Sequence, residues 1–396
     1  MDEKMYIKKR LLKGLVQSIP FYLFRIFPIS KKKIVFTCIE GTTGYSCNPK
    51  YIAEEFMRRN EGYELVWLVN DLNKHIPEGI KKVHNSLLNR AYHLATAKFW
   101  IDNSRKQLEV RKRNGQIYIQ TWHAKLGFKP TCLDRGKSFS RIAYLISKHD
   151  SDMIDYVLSN SDWYDETLST GMLYEGKTLR SGSPRCDILV NNLEKSRQAI
   201  RERYNLSKDT KIIMYAPTFR GGSQEMNRTI EKRDHVPNYD GMLEALEKRF
   251  GGKWVVFLRL HPQLTVRHIQ SGIKDARLID VSKEDDMYEL LAGCDAFISD
   301  YSSAVFDAAV MRIPIFLYAD DYEEYEEERG KLLWNLREMA FPLACSDDEL
   351  RDVIMNFDDD KYQMDLRKLF QSTGMFEDGC ASGRVCDFIE NHNRNE

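Results

Sequence analysis

The chain has no run of apolar residues approaching the roughly 20 needed to span a bilayer, so no transmembrane helix is expected. It has no secretory leader pattern either. Pro20 and Arg25 interrupt the apolar part of the N-terminus, and no small-residue cleavage site follows. Its eight cysteines (38, 47, 132, 186, 294, 345, 380 and 386) contain no CxxC pair. Several lie inside apolar, strand-like runs and read as reduced packing residues of a cytoplasmic protein. The nine histidines do not cluster with them at ligand spacing, so no zinc site is expected. There is no net charge, with 59 basic and 59 acidic residues. Repeats and low-complexity tracts are missing as well; Gly221 to Asn238 is the one long polar loop.

What charge there is lies unevenly. Residues 1–33 carry nine Lys/Arg against Asp2 and Glu3, a surplus of seven that the remainder cancels. An acidic body argues against a nucleic-acid-binding face. In the N-terminal segment Leu11, Leu12, Leu15, Val16, Ile19 and Phe21 to Phe27 alternate with Lys8, Lys9, Arg10, Lys13 and Arg25, and Lys31 to Lys33 follow. That pattern suits a basic amphipathic helix lying on an anionic membrane surface, with contact expected through residues 1–30. The competing reading is a helix packed on its own protein or on a partner's.

At 396 residues, 42% hydrophobic and 30% charged, the chain has the composition of a soluble globular protein with two domains. After Lys33, strand-like and helix-like segments alternate. Strands are expected at 34–38, 65–69, 99–102, 117–121 and 156–158, and, beyond a charged helix over 191–204, at 211–215, 254–258, 277–281, 296–299 and 314–318. Alternation of this kind implies parallel sheets with helices on both faces and ligands at the carboxyl ends of strands. The expected division is a membrane-associating segment over 1–32, a first Rossmann-like domain over 33–190 and a second over 191–396.

The chemistry-bearing residues fall at those strand ends. Thr121-Trp122-His123 follows one strand, Ala216-Pro217-Thr218-Phe219-Arg220 another, Arg259-Leu260-His261-Pro262 a third, and Asp300-Tyr301-Ser302-Ser303 a fourth. Arginines offer fixed forks to phosphate oxygens, and histidine moves a proton near neutral pH. The two serines crowd a strand-to-helix junction, where unpaired N–H groups suit a phosphate or pyrophosphate. Each has a plainer reading beside it. The serines could be a cap with a spare hydroxyl, His123 a hydrogen-bonded core histidine, His261 a strand cap and Arg220 a surface ion-pair partner.

Eight motifs in order resemble those of the CDP-glycerol glycerophosphotransferase family, which primes and polymerises teichoic acids. They are Gly44 to Ile52 around Asn48-Pro49-Lys50, Gln120-Thr121-Trp122-His123, Ser183-Pro184-Arg185-Cys186-Asp187, Ala216 to Arg220, Arg259 to Pro262, Ser299 to Asp307, Tyr325 to Gly330 and Phe376 to Arg384. The resemblance implies a GT-B fold, two Rossmann-like domains facing across a cleft, and no metal or other cofactor. It makes His123 and His261 the catalytic pair. Arg220, Arg259, Asp300, Ser302, Ser303 and Arg329 become donor-phosphate residues, with Pro184, Arg185, Pro217 and Thr218 lining a nucleotide cleft. One departure stands out: the family's His-Gly-Thr-Pro-Leu-Lys is replaced by His123-Ala124-Lys125-Leu126-Gly127-Phe128-Lys129.

The implied reaction is attack of an acceptor hydroxyl on the β-phosphorus of CDP-glycerol or CDP-ribitol, with His123 taking the proton and CMP leaving. The implied acceptor is an undecaprenyl-diphosphate-linked saccharide, met peripherally at the cytoplasmic face of the cell membrane. Two alternatives stay open from sequence: a nucleotide-sugar glycosyltransferase of the same fold, and a non-catalytic membrane scaffold.

Overall fold

The computed structural model describes residues 3–218, 236–260, 276–329 and 331–394. Two compact units emerge. The first comprises Met1–Lys125, Thr131–Asp187 and Thr373–Glu396, the second Leu126–Pro130 and Ile188–Ser372.

In the first unit a basic N-terminal pair of helices, α1 (Glu3–Gln17) and α2 (Ile19–Leu23), precedes strand β1 (Ser30–Thr37). Helix α3 (Cys47–Arg59), β2 (Glu64–Val69), β3 (Ile80–His84), α4 (Leu87–Thr96), β4 (Ala97–Asp102), β5 (Ile117–Gln120), β6 (Tyr156–Ser159) and β7 (Lys177–Arg180) follow. Among the described residues the seven strands form one sheet in the order β3-β2-β1-β4-β5-β6-β7, every pairing parallel. Neighbouring residues of a strand point to opposite faces. Ile34 and Phe36 therefore join Ile52, Phe56, Trp67 and Phe99 on one face, while Val35 joins Val66, Leu68, Leu94, Trp100 and Tyr118 on the other. Both faces are buried, so β1 and β2 read as apolar runs and not as alternating ones. Full burial of each large side chain contributes about 1.5–3 kcal/mol.

The C-terminal helix Ala381–Arg394 lies on the first of these faces, where Val385, Cys386 and Ile389 enter the core with α3. Arg59 of α3 pairs with Asp387 at 2.7 Å and Glu390 at 3.1 Å.

The N-terminal segment divides its side chains. Phe21 is wholly buried in the second core face, and Ser18 beside it is buried too. Gly14 approaches Leu108 so closely that a Cβ there would lie 2.8 Å from the Leu108 Cβ. Arg113 Nη1 donates to the Phe27 carbonyl at 2.8 Å, and Phe24 and Phe27 meet Tyr92 edge-on. Leu11, Leu12, Leu15, Val16, Ile19, Leu23 and Ile26 remain exposed. The segment is thus docked on its own unit and still presents apolar residues to solvent. Phe24, within the apolar run expected to meet the membrane, is half-buried instead. Among the described residues no helix is long and apolar enough to cross a membrane.

The second unit holds β8 (Thr210–Tyr215), β9 (Lys253–Leu258), β10 (Leu278–Asp280), β11 (Ala296–Ser299), β12 (Ile315–Tyr318) and β13 (Leu343–Ala344). Among the described residues they form a parallel sheet in the order β10-β9-β8-β11-β12-β13. Each sheet starts at an inner strand, adds two strands to one side and then turns to the other. The order reverses between β1 and β4 in one sheet and between β8 and β11 in the other. In open α/β sheets that reversal opens a crevice at the strand carboxyl ends, where ligands bind.

Candidate active site

The loops at the first reversal gather around His123. Its Nδ1 lies 2.6 Å from the Asn103 carbonyl oxygen, in the loop after β4. Burial holds the imidazole below its ordinary pKa, opposed by that same hydrogen bond. The Gln120-Thr121-Trp122-His123 turn is pinned residue by residue. Thr121 N–H donates to the Asp102 carbonyl at 2.7 Å, and Trp122 N–H to Gln120 Oε1 at 3.0 Å. Trp122 sits at φ +49°, a left-handed conformation costly for a bulky residue, which the surrounding bonds must hold. The Arg105 guanidinium lies 5.1 Å over its ring, and the His123 ring packs 4.7 Å away.

Two further residues fix the loop. Asn48, fully buried near the start of α3, donates through Nδ2 to the Trp122 carbonyl at 2.7 Å and the Thr121 carbonyl at 3.3 Å. Its Oδ1 accepts the Arg185 N–H at 3.1 Å. Arg185 Nη1 donates to the His123 carbonyl at 2.7 Å. Pro184 and Arg185 are both buried beside this loop. The Ser183–Asp187 turn carrying them is clamped by the C-terminal motif. Ser183 N–H meets Glu377 Oε2 at 2.9 Å, and Asp187 accepts from Ala381 N–H at 2.9 Å and Ser382 N–H at 2.8 Å. Burial lifts the Glu377 carboxyl to about 7, against the pull of Lys125. Two motifs far apart in sequence are therefore two sides of one contact.

At the second reversal the Asp300 carboxylate accepts the Thr218 N–H through both oxygens, at 2.8 and 2.9 Å. It also accepts the Tyr301 N–H at 2.6 Å. Asp300 thereby ties the loop after β8 to the loop after β11. Ser299 Oγ donates to the Ala216 carbonyl at 2.6 Å and reinforces the join, while Pro217 and Thr218 stay half-exposed. Ser302 Oγ accepts the Ala304 N–H at 3.3 Å. Among the described residues Ser303, preceding the helix Ala304–Ala309, makes no side-chain capping bond. Arg259 Nη1 donates to the Val281 carbonyl at 2.7 Å and also reaches the Glu284 carbonyl, so it braces the loop after β10.

The segment that departs from the family motif packs here. Phe128 is buried 5.0 Å from Phe306, its carbonyl accepts the Leu333 N–H at 2.8 Å, and Lys129 Nζ lies 3.5 Å from Thr218 Oγ1. Arg220 and His261 lie outside the described residues, and Arg329 closes the helix Tyr322–Arg329. Among the described residues no group of three or more His, Cys, Asp or Glu is arranged to hold a metal ion.

The sequence profile of the CDP-glycerol:poly(glycerophosphate) glycerophosphotransferase family matches residues 19–391. The chain belongs to that family. It is 28% identical to a teichoic acid poly(glycerol phosphate) polymerase of Bacillus spizizenii, over 98% of this chain and 99% of the relative. It is also 28% identical to a teichoic acid glycerol-phosphate transferase of Staphylococcus aureus, over 96% and 99%. Of the corresponding Bacillus subtilis polymerase it spans 50%, at 27% identity. The solved structure of a wall teichoic acid polymerase, TagF, superposes with a TM-score of 0.81, at 25% identity, covering 100% of this chain and 99% of that one. As a member of the family, this α/β chain is a glycerophosphotransferase that moves glycerol phosphate, or a related alditol phosphate, in teichoic acid synthesis.

Within that glycerophosphotransferase frame, sequence reasoning singled out His123 but missed what holds it. Asn103 lies in no motif and acts through a backbone carbonyl, so no side-chain signal could have marked it. Asn48 and Glu377 were inside quoted motifs, and motif order was the only available sign that they matter.

Proposed function

We propose that the enzyme transfers glycerol phosphate from CDP-glycerol to the terminal hydroxyl of an undecaprenyl-diphosphate-linked acceptor. The acceptor oxygen attacks the β-phosphorus, the bond to the CMP oxygen breaks, and CMP leaves. His123 Nε2 takes the hydroxyl proton. Ser302 and Ser303, with Arg259, His261, Arg220 and Arg329, meet the charge developing on the pyrophosphate. Asp300 serves differently. A carboxylate would repel a phosphate, and its oxygens already hold Thr218 and Tyr301. Arg185 and Pro184 support the His123 loop, and Pro217 and Thr218 border the nucleotide.

The observation that carries this reading is the setting of His123. Its ring stands at the sheet reversal with one nitrogen committed to a carbonyl and its pKa lowered, which suits a general base. The unevenly basic, apolar-faced N-terminal helices support a peripheral seat on the cytoplasmic face of the membrane, where a lipid-linked acceptor is presented. Supplying CDP-glycerol, CDP-ribitol or a UDP-sugar with a lipid acceptor analogue, and identifying the nucleotide released, tests the reading. CMP release supports it and the choice of donor names the alditol. UDP release favours a glycosyltransferase, and no release a scaffold.

A further inference from the structure

Two thiols stand beside the His123 loop, and neither has a part in the reaction above. Cys38 follows β1 and is almost fully buried, whereas Cys47 is the first residue of α3 and is only partly buried. The intervening loop folds back so that Cys38 Sγ lies 3.4 Å from the hydroxyl of Ser46, the residue preceding Cys47. Their surroundings differ in a way that sets their chemistry apart. Cys47 Sγ has the Arg185 guanidinium at 3.4 Å and lies at the amino end of a 13-residue helix, both of which favour a thiolate. Its pKa is drawn down to about 5, first by the hydrogen bond from Cys38 and then by Arg185, against burial. Cys38 receives Asn103 Nδ2 at 3.1 Å and meets Ser46 Oγ at 3.4 Å, and burial keeps it a thiol.

Backbone strain marks the same loop. Ile39, Glu40 and Cys47 all have positive φ, at 44°, 55° and 59°. Their conformations are held by Asn103 Oδ1 on the Ile39 N–H at 2.7 Å and Ser104 Oγ on the Glu40 N–H at 2.9 Å. Strain of this kind persists only where the surroundings impose it.

We propose that Cys38 and Cys47 form a thiol-oxidation site for small two-electron oxidants of the peroxide class, with Cys47 attacking and Cys38 resolving. The Cys47 thiolate attacks one oxygen of hydrogen peroxide, the O–O bond breaks, and the departing hydroxide takes up a proton to leave as water. Cys47 is now a sulfenic acid. Cys38 sulfur then attacks Cys47 sulfur, the S–S bond forms and the S–O bond breaks. The released hydroxide carries off the Cys38 proton as a second water. Two thiols and one peroxide give one disulfide and two waters, and a dithiol reductant reverses the change.

The site is wired to the base. Arg185, which faces the Cys47 sulfur, also donates to the His123 carbonyl at 2.7 Å. Asn103, whose amide donates to Cys38, supplies the carbonyl that holds His123 Nδ1 at 2.6 Å. Closing the disulfide removes the thiolate from Arg185 and pulls the sulfur away from the Asn103 amide, so His123 loses its register. This consequence rests on His123 being the base; the thiol chemistry itself does not.

The test uses the full chain, reduced and then treated with hydrogen peroxide. A peptide map should show Cys38 joined to Cys47 with the loss of two hydrogens, ahead of oxidation at exposed Cys380. Iodoacetamide at pH 6 should label Cys47 in the reduced protein faster than it labels glutathione. Cys38→Ser should stop at a sulfenic acid that dimedone captures, and Cys47→Ser should leave Cys38 reduced. CMP release should fall at least about tenfold on oxidation, as expected for a displaced base, and recover with dithiothreitol. Oxidation confined to Cys380, with no Cys38–Cys47 bond, overturns the proposal, and a bond that forms but leaves CMP release unchanged overturns its link to His123. Should Cys38→Ser fail to fold, the map of the unaltered protein decides. If the reduced enzyme released no CMP from any donor, the functional reading would fall while the map still judged the thiols.

Discussion

His123 Nδ1 and the Asn103 carbonyl oxygen are 2.6 Å apart, and that contact fixes which nitrogen is left to accept a proton. A carbonyl can only accept, so Nδ1 carries the hydrogen and Nε2 keeps the lone pair. His123→Ala is expected to cost about 100- to 10,000-fold in kcat while CDP-glycerol still binds. The proposed base must be the neutral imidazole, and burial lowers its pKa. The acid limb of kcat/KM should therefore lie below the ordinary histidine value of about 6.5 and vanish in the alanine variant. Retention of more than about a third of wild-type kcat would remove His123 from the base position.

Asn48 is expected to matter for rate as well as stability. Asn48→Ala strips partners from the Thr121 and Trp122 carbonyls and from the Arg185 N–H, each worth about 1–3 kcal/mol when left buried and unmet. Asn48→Asp keeps the acceptor facing Arg185 but sets a carboxylate oxygen against two carbonyls, and should be the more damaging. Single-turnover kinetics should show kcat falling with donor KM nearly constant, alongside a lower melting temperature. A lower melting temperature with unchanged kcat would mean that Asn48 serves the fold alone.

His93 of α4 gives a pH signature to stability. It is buried without a partner for Nδ1 among the described residues, and burial, then Lys33, draws its pKa down to about 4. The unfolded chain binds the proton near pH 6.5 and the folded one does not, so stability is full above that value. It should fall as pH drops from 6.5 to about 4, with a slope of about 1.4 kcal/mol per pH unit from this group. Denaturant titrations of His93→Gln should show that slope flattened. An equal slope in the variant would assign it to other groups.

Much of the architecture was legible because both faces of each sheet are covered. Burial on two sides makes a strand an unbroken apolar run, and Ile34 to Thr37, Leu65 to Val69 and Ala296 to Ser299 stand out on that account. The edge strands of the first sheet were not legible. Ile80-Lys81-Lys82-Val83-His84 and Lys177-Thr178-Leu179-Arg180 have one ladder facing solvent, and their polar residues resemble loop. Nor does an amphipathic stripe say which sheet it covers. Val385, Cys386 and Ile389 form an ordinary helical face, and only the folded chain shows it returning to α3.

The groups proposed to react could be picked from the sequence, whereas what holds them could not. Imidazole, guanidinium and paired hydroxyls announce phosphate chemistry wherever they stand at strand ends. The supports are backbone carbonyls, strained turns and carboxylates such as the buried Asp300 and the partly buried Glu377, whose partners lie tens to hundreds of residues away. A one-dimensional reading lends Asp300 to the phosphate because it neighbours Ser302. Its oxygens go to Thr218 instead.

Replacing both hydroxyls, Ser302→Ala with Ser303→Ala, should weaken CMP binding. Hydrogen bonds to a charged group are worth about 1.5–3 kcal/mol each, so at least a tenfold loss in affinity is expected by calorimetry. Ser303 makes no side-chain cap among the described residues, so little stability should be lost with it. Unchanged CMP affinity with normal turnover would place the phosphate elsewhere.

The N-terminal helices should separate anchoring from folding, residue by residue. Leu12, Leu15, Leu23 and Ile26 are 62%, 61%, 63% and 82% exposed, whereas Phe21 in the same segment is 0% exposed. Substituting the four exposed residues by Gln removes apolar surface that touches no core, so the melting temperature should hold while sedimentation with anionic liposomes is lost. Phe21→Ala should do the reverse, costing about 3–5 kcal/mol of stability while the folded protein still sediments. The surplus of seven positive charges adds attraction of roughly 1 kcal/mol per basic residue near an anionic surface. Raised salt should weaken binding of the intact protein without abolishing it, because screening leaves the apolar part untouched. Removing residues 1–30 entirely is the wrong experiment, since it takes Phe21 out of the core. Liposome binding that survives the fourfold Gln variant would move the membrane contact away from this segment.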